Sequence, residues 1–402
     1  MIRPDLFDRL ALAHAERERA QLSRRLRSVD QNDGSHLQIA GKQLLAFCSN
    51  DYLGLANHPQ IVAALKNAAD ANGVGSTAAH LICGHNREHA ALEEELADWT
   101  GRERALLFST GYMANLGVLQ TLLHAGDLCV QDKLNHASLL DAVRLSGAEL
   151  KRYPHSDVAA VQRQLESRPD KLALLASDGV FSMDGDIAPL VHLATLCKKQ
   201  QTSLMIDDAH GVGIFGKQGA GSVAAAGLSQ HDVPVLMATL GKAVGTCGAF
   251  VAGSAALIDA LTQSARSYIY TTALPPALAA ATRTALRLVR ADEWRREKLH
   301  KLIERFRRGA LQLGLPLPDS TSAIQPILLG AAAESLALAQ ALEARGLLVT
   351  AIRPPTVRAA TSRLRITLSA AHTEADVDRL LDALDACIPS AIRTARRSAI
   401  HQ

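Results

Sequence analysis

Between Ser203 and Gly248 the chain reads SLMIDDAHGVGIFGKQGAGSVAAAGLSQHDVPVLMATLGKAVGTCG, and four of these residues could do chemistry together: Asp207, His210, Thr239 and Lys242. They lie at the end of, or just beyond, two short apolar runs, Leu204–Ile206 and Val233–Leu240. Runs this short, bounded by polar or Gly-rich breaks, predict buried strands. The C-terminal ends of such strands are where open α/β sheets bind ligands. A carboxylate, an imidazole and an amine at one edge suit a cofactor that a lysine holds covalently. Pyridoxal phosphate has that demand: a lysine for the Schiff base and an acid for the pyridinium nitrogen. The plainer reading makes Lys242 a solvated strand cap and Asp207 a helix cap. Against it, Lys242 sits between Gly241 and Ala243, small neighbours that let a flat ring approach the backbone.

Other stretches offer partners. Ser109–Ala114, including Gly111 and Tyr112, follows a strand-like run and would open a helix whose N-terminal N–H groups suit a phosphate. His136 in LNHASLLDAV is either a helix-start residue or a ring to stack on a cofactor. Ser182 and Asp178 follow another strand in LALLASDGVFSMDGD. Asn50 in SNDYLGL has the form of a turn residue, ahead of a helix Pro59–Asn72 begun by proline. In RLRITLSA, Arg365 alternates with Leu364 and Ile366, which predicts an outward-facing arginine. A planar guanidinium there suits bidentate capture of an α-carboxylate. Thr356 in RPPTVR reads as a turn residue after proline. Asp5–Arg27 has a helical pattern that ends in RERAQLSRRLR, whose arginines read as a solvated face.

Two literal motifs mislead. His85–His89 matches H-x-x-E-H, but a metal site of that kind needs a third ligand and an open position. Gly211–Gly216 matches G-x-G-x-x-G, but KQGAGS continues the loop where a dinucleotide fingerprint requires a helix. Neither zinc hydrolysis nor an NAD-dependent dehydrogenase is expected.

With 402 residues, 48% of them hydrophobic, the chain can bury more than one core. Its 43 basic and 40 acidic residues leave no broad basic field, so no nucleic-acid partner is expected. The six cysteines lack paired spacing and read as reduced, buried, small hydrophobes. The charged start lacks a signal-peptide core, and no apolar run is long enough to span a membrane, so a cytoplasmic enzyme is expected. The pattern divides the chain into an N-terminal segment (1–48), a large domain (49–284) and a C-terminal α+β domain (285–402). The last would hold a charged helix (287–313), a strand (324–329), a helix (333–345), two strands and a final helix (374–388).

DDAHG followed by TLGKAVG resembles the α-oxoamine synthase family of pyridoxal phosphate enzymes. SNDYLGL, GVFSMDGD (Gly179–Asp186) and AIRPPTVR (Ala351–Arg358) extend the resemblance from about residue 20 to residue 380. It implies the aminotransferase-like fold, type I of the pyridoxal phosphate transferases, with a mainly parallel seven-stranded sheet and a smaller C-terminal α+β domain. It implies decarboxylative condensation of L-alanine with a pimeloyl thioester, carried by coenzyme A or an acyl carrier protein, in biotin synthesis. Glycine C-acetyltransferase shares the cofactor residues, and the acyl end discriminates the two. By the same resemblance Lys242 holds the cofactor and moves the α-proton, Asp207 partners the ring nitrogen, and His136 stacks on the ring. His210 and Ser182 adjoin the phenolic oxygen, while Gly111, Tyr112 and Thr239 complete the cofactor contacts. Asn50 and Arg365 take the amino-acid carboxylate. Arg24, with Arg25 close behind, meets the distal acyl carboxylate near Thr356. Thr271 or Thr272 crosses to the phosphate of a neighbouring subunit in a homodimer. Asp178 stands where relatives carry Glu, and Thr77-Ala78-Ala79 where they carry more glycine.

Overall fold

Both apolar runs are strands, and others like them build the centre of the protein. In the computed structural model, which describes residue 3, residues 5–20 and residues 22–388, three short strands come first. They are β1 (Gln31–Asn32), β2 (His36–Ile39) and β3 (Lys42–Ala46). Seven follow: β4 (Arg104–Phe108), β5 (Leu128–Asp132), β6 (Glu149–Tyr153), β7 (Ala173–Asp178), β8 (Ser203–Asp207), β9 (Val235–Thr239) and β10 (Ala249–Gly253). These seven form one sheet in the order β4-β10-β9-β8-β7-β5-β6, the expected strand number. β10 runs antiparallel to both its neighbours, and the remaining pairs are parallel.

The sheet is buried on both faces. In β8, Leu204 and Ile206 enter a core with Val130 and Leu175, while Met205 enters the opposite core with Leu174 and Met237. Two-sided burial is why these strands read as continuous apolar runs.

The last strands are β11 (Ile324–Gly330), β12 (Leu347–Leu348), β13 (Thr350–Ile352) and β14 (Ser362–Thr367). β11, β14 and β13 make an antiparallel sheet, and β12 pairs in parallel with β3. Strands near the start of the chain thus share a sheet with the C-terminal region. The outer segments of the expected division extend into residues outside those described.

The helix Pro59–Asn72 has the expected bounds, with His58 accepting from the Gln60 N–H at its start. The helices Ala332–Ala344 and Glu374–Cys387 fall within a residue of expectation. Three expectations need correction. The first helix, Leu6–Arg19, stops short of Arg24; none of its residues is buried, so no tertiary packing prolongs it. The charged helix of 287–313 is two helices, Pro276–Ala291 and Glu293–Gln312. Asp292 breaks them with a non-helical backbone, and its carboxylate accepts from Arg295 Nε at 3.0 Å, a local bond that competes with helix continuation. All six cysteines are free, but only Cys129 and Cys197 are buried, while Cys83, in the short π-helix His80–Gly84, and Cys247 are exposed. Among the described residues no helix is long and apolar enough to cross a membrane.

Candidate active site

Several strands of the large sheet end along one edge, and each continues into a loop or helix that contributes a side chain. Beyond β4, Thr110 caps the helix Gly111–Leu122 by accepting from the Met113 N–H. A side chain at position 111 would come 2.7 Å from Thr239 Cγ2, so the helix start can lie against β9 only with glycine there. Beyond β5, His136 opens the helix Ala137–Ser146, its Nδ1 accepting from the Ser138 N–H. β7, β8 and β9 end on Asp178, Asp207 and Thr239, and the loops beyond carry Ser182, His210 and Lys242. All eight cofactor positions expected from the sequence line one cavity of about 210 Å³. His136 is thus a helix cap whose side chain also lines the cavity.

The cavity's acid is held from two sides. Asp207 accepts from Asn115 Nδ2 at 2.8 Å and from the Ala209 N–H at 3.1 Å. Asp178 is its register partner on the neighbouring parallel strand, so two buried carboxyl groups lie side by side. Burial, then the nearby Asp207 charge, pushes Asp178 well above the ordinary carboxylate value. Asp178 still accepts from the His136 N–H at 3.1 Å, so the shorter side chain keeps a structural contact.

Lys242 Nζ lies 2.9 Å from His210 Nε2. Burial pulls the Lys242 ammonium down to about 8, with Asp207 and Asp178 opposing the shift. Burial, then Lys242, drives His210 well below its ordinary range, and burial also lowers His136. Both imidazoles are neutral at pH 7, and a useful fraction of Lys242 is a free amine.

Arg365 does not face outward as strand alternation predicts. Every residue of β14 is buried, because the sheet's second face packs on the loop after β7. Arg365 Nε donates to the Ser182 carbonyl at 2.7 Å, and both its terminal nitrogens lie 3.2 Å from Asn50 Oδ1. Asn50 is thus a partner of Arg365 as well as a turn residue. Arg24 is exposed, and its Nη2 donates to Thr356 Oγ1 at 3.2 Å across 332 residues of sequence. Arg25 is exposed too, and Thr271 and Thr272 do not line the cavity.

Both motifs also make contacts within the fold. Gly211 and Gly221 crowd the buried carboxylate of Asp208, which accepts from the Ser222 N–H at 2.7 Å and its hydroxyl at 2.6 Å. That loop wraps an aspartate rather than a pyrophosphate. His85 and His89 gain His80 as a neighbour, the three lying within 4.8 Å, a grouping that sequence spacing missed. Yet His89 accepts from the Asn86 N–H and donates to the Leu274 carbonyl, so both its nitrogens are engaged, and none of the three lines the cavity.

The residues fit an anionic aromatic cofactor. Among the described residues, Thr239 Oγ1 and Asn115 Oδ1 are buried without a hydrogen-bond partner, and both side chains line the cavity. Buried polar atoms are nearly always paired, so these orphans call for a polar occupant. Sequence reasoning missed Asn115, Ser138 and Tyr52. For Asn115 there was a signal: a lone amide in the apolar helix run GYMANLGVLQTL.

This fold and site define a class, the aminotransferase class I and II family, whose profile matches residues 42–384, and the chain belongs to it. It is 56% identical over 382 residues to the 8-amino-7-oxononanoate synthase of Cellvibrio japonicus (strain Ueda107), covering 95% of this chain and 96% of that one. Against the enzyme of that name from Thioalkalivibrio sulfidiphilus (strain HL-EbGR7) it is 59% identical over 350 residues, covering 86% and 89%. Among solved structures, a serine palmitoyltransferase of S. paucimobilis with bound PLP–myriocin aldimine superposes with a TM-score of 0.92 at 31% identity, over 96% of this chain and 98% of that one. An 8-amino-7-oxononanoate synthase from Francisella tularensis does so with a TM-score of 0.75 at 32% identity, over 85% and 97%. Within the class, the chain is a member of the 8-amino-7-oxononanoate synthase family.

Proposed function

We propose that this chain condenses L-alanine with a pimeloyl thioester, releasing CO2 and the free thiol carrier and giving 8-amino-7-oxononanoate for biotin synthesis. The observation that carries this reading is the convergence of Lys242, Asp207, His210 and His136 on one cavity, with the Asn50–Arg365 pair joined to it through Ser182. When bound, pyridoxal phosphate supplies an electron sink for negative charge at the alanine α-carbon.

The chain's own groups do the rest. Lys242 Nζ would anchor the cofactor and would take the α-proton of alanine; its lowered basicity keeps the free amine accessible near neutral pH. Asp207 holds a proton on the ring nitrogen, and Asn115 holds Asp207. The neutral His136 offers its ring face, and His210 and Ser182 adjoin the phenolic oxygen. Gly111, Tyr112 and Thr239 hold the phosphate end at the helix start. Arg365, aimed by Ser182 and Asn50, takes the alanine carboxylate. Arg24 and Thr356 take the far carboxylate of the acyl chain. A homodimer in the cytoplasm, with Thr271 or Thr272 reaching the neighbouring subunit's phosphate, completes the reading; the division at residues 48 and 284 belongs to it.

Borohydride reduction of the loaded protein followed by peptide mapping should label Lys242, and alanine with pimeloyl thioester should release CO2. A label on another lysine, or a preference for glycine with an acetyl thioester, would overturn the assignment. Rates with the coenzyme A and carrier-protein thioesters decide the carrier.

A further inference from the structure

Tyr52 faces His210 through the imidazole nitrogen that does not meet Lys242. Its hydroxyl lies 2.7 Å from His210 Nδ1 and 3.1 Å from Asn50 Oδ1, while Lys242 Nζ is 2.9 Å from His210 Nε2. Asn50 Oδ1 also accepts from both terminal nitrogens of Arg365. A continuous hydrogen-bond path therefore runs Arg365–Asn50–Tyr52–His210–Lys242. Tyr52 is only 1% exposed, so its hydroxyl is shielded from bulk water.

A neutral imidazole carries one proton, on either nitrogen. With the proton on Nδ1, His210 donates to Tyr52, Tyr52 donates to Asn50, and Nε2 accepts from the Lys242 ammonium. With the proton on Nε2, His210 donates to the lone pair of an unprotonated Lys242, and the Tyr52 hydroxyl turns to donate to Nδ1. The two arrangements differ by one proton, the one Lys242 loses to solvent. Only a group that can both donate and accept satisfies Nδ1 in both.

We propose that Tyr52 is a positioning residue that lets His210 meet Lys242 in either protonation state, and that it couples that choice to a carboxylate held by Asn50 and Arg365. The proposal rests on the cofactor reading above. The charged and titratable groups facing this pair are Asp207 at the end of β8, Asp178 at the end of β7, Arg365 on β14, and His136 before its helix. Burial keeps His210 neutral, the condition the switch needs.

The test uses the cofactor-free protein and follows the rate of pyridoxal phosphate capture by absorbance across pH, since only the unprotonated amine reacts. The wild-type rate should rise with a midpoint near about 8. Tyr52→Phe leaves a buried Nδ1–H unpaired whenever Lys242 is an ammonium, so that state is disfavoured and the midpoint should fall by about half a unit or more. Propionate, the carboxylate of alanine without its amine, should shift the wild-type midpoint and leave the variant's unmoved. Tyr52→Leu, a second variant without the hydroxyl, guards against a folding defect peculiar to the first. Equal midpoints and equal propionate responses in wild type and variants would overturn the proposal. Capture mapping to a lysine other than Lys242 would overturn the cofactor reading, and this one with it, in the wild type before any variant is made.

Discussion

Asp207 shows how much a single residue's role depends on what surrounds it. Its place at a strand end is written in the sequence, but its two hydrogen-bond donors come from Asn115, on another helix, and from its own loop. Asp178 lies beside it on the neighbouring strand, and both carboxyl groups line the cavity. Asp207→Asn keeps the shape and removes the charge. Removing one partner of a buried charge pair costs about 3–5 kcal/mol, and the loss should appear when negative charge develops on the cofactor ring. Alanine α-proton exchange, followed by deuterium incorporation, should slow on the order of 150–5,000-fold, at 1.36 kcal/mol per tenfold. Cofactor content should change far less. Equal losses in both would make Asp207 a binding residue only.

Among the elements, the loop between β7 and the helix Leu190–Lys199 matters most, because it carries Ser182 and is gripped from two sides. From β14, Arg363 pairs with Asp184 at 2.5 Å and Arg365 holds the Ser182 carbonyl. Gly185, at φ +77°, presses against the Ile324 carbonyl of β11, where a side chain would come within 2.3 Å. From the large sheet's side, His155 bridges Asp132 at 3.1 Å and Asp186 at 2.7 Å. Burial alone would lower the His155 imidazolium, but hydrogen bonds and charge from Asp132 and Asp186 outweigh it and raise it to about 10. Because the folded value lies above the ordinary histidine value of about 6.5, this contribution is complete below that value. It fades as pH rises through about 10. His155→Asn should therefore lower stability by about 1.5–3 kcal/mol at pH 6. The gap between wild type and variant, measured by denaturant unfolding, should narrow toward pH 10. A gap that is constant with pH would mean the imidazole acts only by packing.

At the scale of the whole molecule, a segment near the start of the chain meets the C-terminal region. β3 pairs with β12, Arg27 forms a two-point ion pair with Glu343, and Arg24 reaches Thr356. Arg27 has a carboxylate of its own, whereas Arg24 is held by a hydroxyl and remains available to a carboxylate from the substrate. A charge-assisted contact of this kind is worth about 1.5–3 kcal/mol. Arg24→Ala should lower kcat/KM for the pimeloyl thioester by on the order of 10–150-fold, and it should erase discrimination against an acyl chain lacking the terminal carboxylate. Alanine α-proton exchange should be unaffected. If both acyl chains lose equally, Arg24 only supports the fold.

The sequence by itself determined the strands that are buried on both faces and the residues at their ends. Short apolar runs and strand-end polar residues are local patterns, which is why Asp207 and Thr239 could be read from them, while Gly111, Tyr112, His136 and Ser182 took their cofactor roles from the family resemblance. Only the tertiary structure decided what those positions touch. Strand alternation turned Arg365 outward, but β14 is covered on both faces, and the covering loop comes from some 180 residues earlier. Tyr52 and His80 were silent for the same reason: a tyrosine or a histidine declares its role only once a distant element supplies the atom it bonds.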